Sequence, residues 1–151
     1  MTVGTFWDDI SAVLTYRLAR LQSRLNTQAS DIVDRNCGIS LSQWRILALL
    51  SNTATKTLTH VAIHAGLDKG QISRNIKQLV ADDYVTLHPS PDDNRQQLIH
   101  ILPKGMELLE RLQPIMEQRQ AYLVENFSKS EREMLFRLIG KLDEKADKVD
   151  F

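Results

Sequence analysis

The chain has 151 residues, 42% of them apolar and 25% charged, with a formal net charge of zero, which is the make-up of one globular domain with a real core. No run of 18 apolar residues occurs and no basic stretch followed by an apolar run opens the chain, so neither a membrane span nor a signal peptide is expected. A single cysteine, Cys37, excludes an internal disulfide and fits a reducing, cytoplasmic setting.

Residues 6 to 35 contain no Gly or Pro. Phe6, Ile10, Val13, Leu14, Leu18, Leu21 and Leu25 follow helical steps and predict one long amphipathic helix, able to run on through Ala29, Ile32 and Val33. Arg17, Arg20 and Arg24 line its other face, as a solvated surface would. Asn36-Cys37-Gly38 breaks the pattern. Ser40-Leu41-Ser42-Gln43 has capping-box spacing and opens a short helix with Trp44, Ile46, Leu47 and Leu50 as its core stripe. Residues 52 to 57 read as a polar turn. Thr57 or Thr59 then caps a third helix around Val61-Ala62-Ile63-His64-Ala65, stopped by Gly66.

The next helix organises the rest. Asp68 caps it and Gln71, three residues on, closes the cap from inside. Ile72, Ile76, Leu79 and Val80 form one apolar stripe. The other face offers Lys69, Gln71, Ser73, Arg74, Lys77 and Gln78, all donors and none acidic. A helix buried on one side and rich in Arg, Lys, Gln and Ser on the other suits a DNA major groove. Two short helices joined by a tight Gly-containing turn, the second presenting donors, form a helix-turn-helix arrangement. Gly70 in a first helical turn costs up to about 1 kcal/mol against Ala, and close approach of backbone to phosphate would explain it.

After Asp82-Asp83 the period becomes strand-like. Tyr84–Leu87 and Gln97–Leu102 are β-prone runs, and Pro89-Ser90-Pro91-Asp92-Asp93-Asn94-Arg95 between them is dense in turn formers. The pair predicts a hairpin, a wing, with Arg95 at its tip where it could enter a minor groove. Asp93 supports the tip or pairs with Arg74. Pro103 begins a long helix marked by Leu108, Leu109, Leu112, Ile115, Met116, Tyr122, Leu123 and Phe127, with a kink expected near Leu112 or Gln113 from Pro114. Ser128-Lys129-Ser130-Glu131 is a third capping box, and Met134, Leu135, Leu138, Ile139, Leu142, Ala146 and Val149 mark the last helix.

The fold class expected is mainly α with a small β-hairpin: one domain over 1–151, in which a winged helix-turn-helix lobe (38–103) is flanked by a helical dimerisation lobe (6–35 and 104–151). The outer helices carry more apolar surface than a compact winged helix needs. A second copy placed across a two-fold axis would bury it. Zero net charge counts against indiscriminate nucleic-acid binding. Between residues 52 and 103, however, the charges are segregated, with Lys69, Arg74 and Lys77 together on one face, and such a patch binds phosphate with a shallow salt slope.

Other residues have plainer explanations beside the chemical ones. Cys37 is a small apolar residue or a redox sensor. His60 and His64 are four apart on one helix and could ligate a metal, but no Cys or carboxylate stands at ligand spacing, and a surface role explains them, as it does His88 and His100. Trp44, Phe6, Tyr16 and Met116 could line a ligand cavity or simply be core. No phosphate loop, Gly-x-Ser-x-Gly or His-Glu-x-x-His appears, so no enzyme, metal or cofactor is expected.

The layout resembles the MarR family of bacterial transcriptional regulators. Ile39-Ser40-Leu41-Ser42-Gln43-Trp44-Arg45-Ile46-Leu47 resembles the start of the family's second helix. Val61-Ala62, then Gly66 through Arg74, resembles its helix-turn-helix. Asp93-Asn94-Arg95, followed by Ile99, Ile101 and Gly105, resembles its wing signature, with Leu102-Pro103 standing where the family usually has a Thr. The resemblance implies a homodimer on a pseudo-palindromic operator, recognition helices in successive major grooves and wings reaching minor grooves. It also implies that a small phenolic or similar effector, or an oxidant, relieves DNA binding, most often by a repressor. The DNA contacts would be Lys69, Gly70, Gln71, Ser73, Arg74, Lys77 and Arg95. Two alternatives stand beside this reading: a helical protein-interaction module that binds no DNA, and a redox-sensing regulator using Cys37.

Overall fold

The structure, a computed structural model, describes residues 9–51, 55–91, 93 and 95–149. Among these, a 3-10 turn (Ile10–Ala12) precedes α1 (Leu14–Cys37), α2 (Leu41–Leu50), β1 (Thr55–Thr57), α3 (Leu58–Ala65), α4 (Lys69–Ala81), β2 (Val85–Pro89), β3 (Gln97–Ile101), α5 (Pro103–Leu123) and α6 (Lys129–Asp143). The fold is mainly helical with a small antiparallel sheet, as expected.

Local chemistry sets most of these boundaries. Ser40, Asp68 and Ser128 each cap a helix and receive the reciprocal bond from Gln43, Gln71 and Glu131, so all three capping boxes form. Thr57, not Thr59, caps α3 by accepting from His60 N. Gly38 and Gly66 close α1 and α3 in the left-handed region, with φ of 63° and 64°.

Several expectations change. The helix that begins at Pro103 ends at Leu123, which leaves Phe127 beyond it. The first helix does not run unbroken from residue 6. Asp9 caps the 3-10 turn through Ser11 N, and Val13, with φ −73° and ψ 124°, is extended, so α1 starts at Leu14; Phe6 lies outside the described residues. The last helix ends at Asp143, which leaves Ala146 and Val149 beyond it. The polar turn at 52–57 ends in a strand: β1 pairs antiparallel with β3, Lys56 opposite Ile99, making a sheet of order β1-β3-β2 rather than a lone hairpin. Asn52, Thr53 and Ala54 lie outside the described residues. In the predicted hairpin itself β2 and β3 pair antiparallel, with Val85 opposite Ile101 and Leu87 opposite Ile99.

The chain divides into two compact units, residues 1–112 and 113–151, and the boundary falls inside α5 directly ahead of the pair Gln113-Pro114. The first unit holds the core. Val33, Ile46, Leu47, Leu50, Val61, Leu79, Val85, Ile99, Leu108 and Leu112 are fully buried. Along α4, Ile72, Ile76 and Leu79 are buried but Val80 is exposed, so the apolar stripe is one residue narrower than its spacing suggests. In the second unit α6 buries none of its residues, and Met134, Leu135, Leu138, Ile139 and Leu142 stand exposed along it.

The start of α5 is joined closely to the turn between α4 and β2. Leu102 N donates to Tyr84 O at 3.0 Å, and Lys104 Nζ donates to Asp82 O at 2.6 Å while lying over the Tyr84 ring. A Cβ on Gly105 would stand 2.5 Å from Tyr84 O and 2.8 Å from Ile101 Cγ1, so only glycine fits there. Within the turn, Asp83 takes a φ of 59°, a region that Asp tolerates better than most side chains.

Candidate nucleic-acid interface

The amphipathic split of α4 builds the site. Burial of Ile72, Ile76 and Leu79 fixes the helix by one face, and Gln71, Ser73, Arg74 and Lys77 are exposed on the other. Lys69 is the first residue of α4; the description of it stops at its backbone. Neither Arg74 nor Lys77 has a protein partner among the described residues. An unpaired cation on an ordered helix can engage phosphate or a base edge without first breaking an internal pair.

Gln71 is committed twice over. Its backbone N–H donates to Asp68 Oδ1 at 2.8 Å and its Oε1 accepts from Asp68 N at 3.3 Å. Only its amide NH2 remains free for a ligand unless the cap opens. Gly70 bears on Arg74: a Cβ there would lie 4.0 Å from Arg74 Nη1 and 3.2 Å from Asp68 Oδ1. The bare glycine thus leaves room beside both the cap carboxylate and the guanidinium.

Asn75 is the residue whose part the sequence did not show. Its Nδ2 donates to Gln71 O at 2.8 Å and its Oδ1 accepts from Ser40 Oγ at 3.3 Å. It therefore ties the exposed helix to the N-cap of α2. The tie joins residues 35 apart in the chain, which no local pattern could reveal.

At the wing, Asp93 organises the tip. Its Oδ1 accepts from Arg95 N at 2.9 Å, its Oδ2 from Gln96 Nε2 at 3.2 Å, and its carbonyl from Gln96 N. Among the described residues it makes no ion pair with Arg74; its hydrogen bonds lie within the wing. Arg95 is exposed at the tip. Asp92 and Asn94 lie outside the described residues.

The remaining candidates separate. Cys37 is half-buried in the last turn of α1, and Arg111 Nη2 of α5 donates to its Sγ at 3.8 Å. The cation nearest to it in sequence, by contrast, is Arg35. Trp44 lines an open cavity of about 490 Å³ with Gln22, Arg45, Leu49 and His64, where α1, α2 and the end of α3 meet. Tyr16 lines a different hollow, along the start of α1. His60 and His64 stack on α3, and partial desolvation, with His64 and Lys56 nearby, holds the His60 imidazole below its ordinary pKa.

A family model described as the MarR family matches residues 38–96, the stretch from the end of α1 to the wing tip. A curated relative, the HTH-type transcriptional repressor IacR of Pseudomonas putida, is 26% identical over 100 residues. That match takes in 66% of this chain and spans 59%, less than two thirds, of the relative's length. Among solved structures, a MarR/EmrR family transcriptional regulator from Acinetobacter sp. ADP1 superposes with a TM-score of 0.85 at 28% identity, over 93% of this chain and 99% of that one. Sco3205, a MarR family transcriptional regulator from Streptomyces coelicolor solved in complex with DNA, superposes with a TM-score of 0.78 at 18% identity, over 95% and 92% of the two chains; at that identity the likeness is one of fold.

Proposed function

The chain belongs to the MarR family of transcriptional regulators, and we propose that it acts as a homodimeric repressor that binds a pseudo-palindromic operator and releases it when a small molecule binds. The observation that carries this reading is the exposed donor face of α4, on which Arg74 and Lys77 have no protein partner among the described residues. Arg74 and Ser73 would read base edges, Lys69 and Lys77 would hold phosphate, and the backbone at Gly70 would approach the strand closely. Arg95, presented by the turn that Asp93 builds, would enter the minor groove.

Dimerisation rests on the exposed apolar stripes of α1 and α6: Leu14, Leu18 and Leu21 on one, Leu135, Leu138, Ile139 and Leu142 on the other. An apolar stripe left exposed along a helix marks an interaction surface. A two-fold pair would set its reading helices one turn of B-DNA apart, about 34–36 Å. The effector would act by favouring pairs with another spacing, to the extent that it binds that state better. The cavity beside Trp44 and Arg45, an aromatic face next to a cation, is where an aromatic anion such as a phenolic acid would fit.

Selection of bound duplexes from a random pool tests the reading. The expected product is an inverted repeat with half-site centres about 10 base pairs apart, bound by two copies of the chain. Recovery of no enriched sequence at low salt would overturn it in favour of a protein-docking module.

A further inference from the structure

We propose that His60 and His64 form a two-histidine site for a divalent transition metal on the outer side of α3. The spacing of four residues sets both rings on one side of the helix. Their centroids lie 4.0 Å apart and their planes differ by only 20°, so the two imidazoles face the same way. His64 Nδ1 lies 2.8 Å from His60 O. A carbonyl can only accept, so Nδ1 carries the proton and the Nε2 lone pair points outward. That is how second-shell bonds orient a ligating histidine. His60 has no side-chain hydrogen-bond partner among the described residues, and the backbone beneath it is pinned by the Thr57 cap, 3.1 Å from His60 N. A small rotation of either ring brings two imidazole nitrogens onto one ion.

No group of three or more His, Cys, Asp or Glu forms among the described residues, so water would fill the other coordination positions. Imidazole pairs suit copper, nickel and zinc, with Cu²⁺ bound most tightly in the Irving–Williams order. Lys56 lies within electrostatic reach of His60 and opposes a cation, which makes the site open and exchangeable. The second histidine pair, His88 and His100 on the wing, meets edge to face at 5.0 Å and 77° and supplies an internal control. His64 also lines the cavity beside Trp44 and Arg45, so the site borders the proposed effector pocket, but metal binding here does not depend on the chain binding DNA.

The test is titration of the full-length chain with Cu²⁺ alone, followed by paramagnetic broadening of the histidine ring protons and by calorimetry. His60 and His64 should broaden together and before His88 and His100, at one ion per chain. His60→Gln and His64→Gln should each lower Cu²⁺ affinity by about 100-fold, because the second ligand no longer binds at high effective concentration. His88→Gln should bind like the parent. Circular dichroism of each variant checks that α3 persists. Broadening that begins at the wing, or single variants that bind Cu²⁺ as the parent does, would overturn the site.

Discussion

The helices α4 and α6 share one local plan and put it to opposite use. Each opens with a capping box, Asp68 with Gln71 in one and Ser128 with Glu131 in the other, and each carries an apolar stripe at helical spacing. In α4 the stripe is spent inside the chain: Ile72, Ile76 and Leu79 are 4%, 3% and 0% exposed. In α6 it is turned out, with Leu138 and Ile139 at 49% and 48%. The same pattern therefore fixes a helix in the first case and leaves an open apolar face in the second. Periodicity reveals that a face must be buried; it does not say by what.

The largest expected effect breaks this comparison at its root. Leu79→Ala should destabilise the chain by about 2–5 kcal/mol, the usual cost of truncating a buried Leu, by the same amount at every protein concentration. Leu138→Glu should instead move the chain from dimer to monomer in sedimentation and abolish the concentration dependence of melting temperature that a dimer shows. A Leu138→Glu chain that sediments like the parent would remove α6 from the interface.

On the donor face of α4 the effects should appear in binding and leave stability alone. Arg74→Ala should cost about 1–3 kcal/mol of operator discrimination. Arg95→Ala should weaken operator and random duplex alike and lower the salt slope by about 1. Titrations at several salt concentrations separate the two, and an Arg74→Ala chain with the parent's operator affinity would sink the role given to that residue.

The smallest effect concerns the caps. Ser128→Ala should cost about 1 kcal/mol. The Ser128 hydroxyl, then its backbone N–H, donates to Glu131 and holds that carboxyl below its ordinary value of 4.5. The folded value is the lower one, so this stabilisation is present above pH 4.5 and is lost as pH falls through the depressed value. The difference in melting temperature between parent and Ser128→Ala should therefore narrow as pH falls below 4.5; a difference that stays constant with pH would show that Glu131 takes no part.

What the sequence made legible is what short-range chemistry decides. The three capping boxes, the Thr57 cap, the glycine stops and the first-turn Pro103 all join residues within one helical turn, and each stands where its pattern puts it. What escaped is long-range. β1 is three residues that become a strand only because β3 lies alongside, more than forty residues later. Arg111 reaches Cys37 across 74 residues and Asn75 reaches Ser40 across 35. Val80 fell off the buried stripe because helical phase drifts past the core edge by the last turn. At the site, the donor face was readable from residue types alone. That Asp93 bonds within the wing rather than to Arg74 was not, since it depends on which of several partners geometry allows.

The joint at Gly105 has a mechanical meaning. Within the three residues Asp82 to Tyr84, α5 is fastened by Leu102, by Lys104 and by a contact with no room for a methyl group. A joint that tight has no slack in which to absorb torque. α4, which carries Arg74, ends at the Asp82–Tyr84 turn, and β2, which leads to the wing and Arg95, begins just after it. The two arms of the candidate interface therefore meet at one close contact, and what makes that contact possible is a single missing side chain.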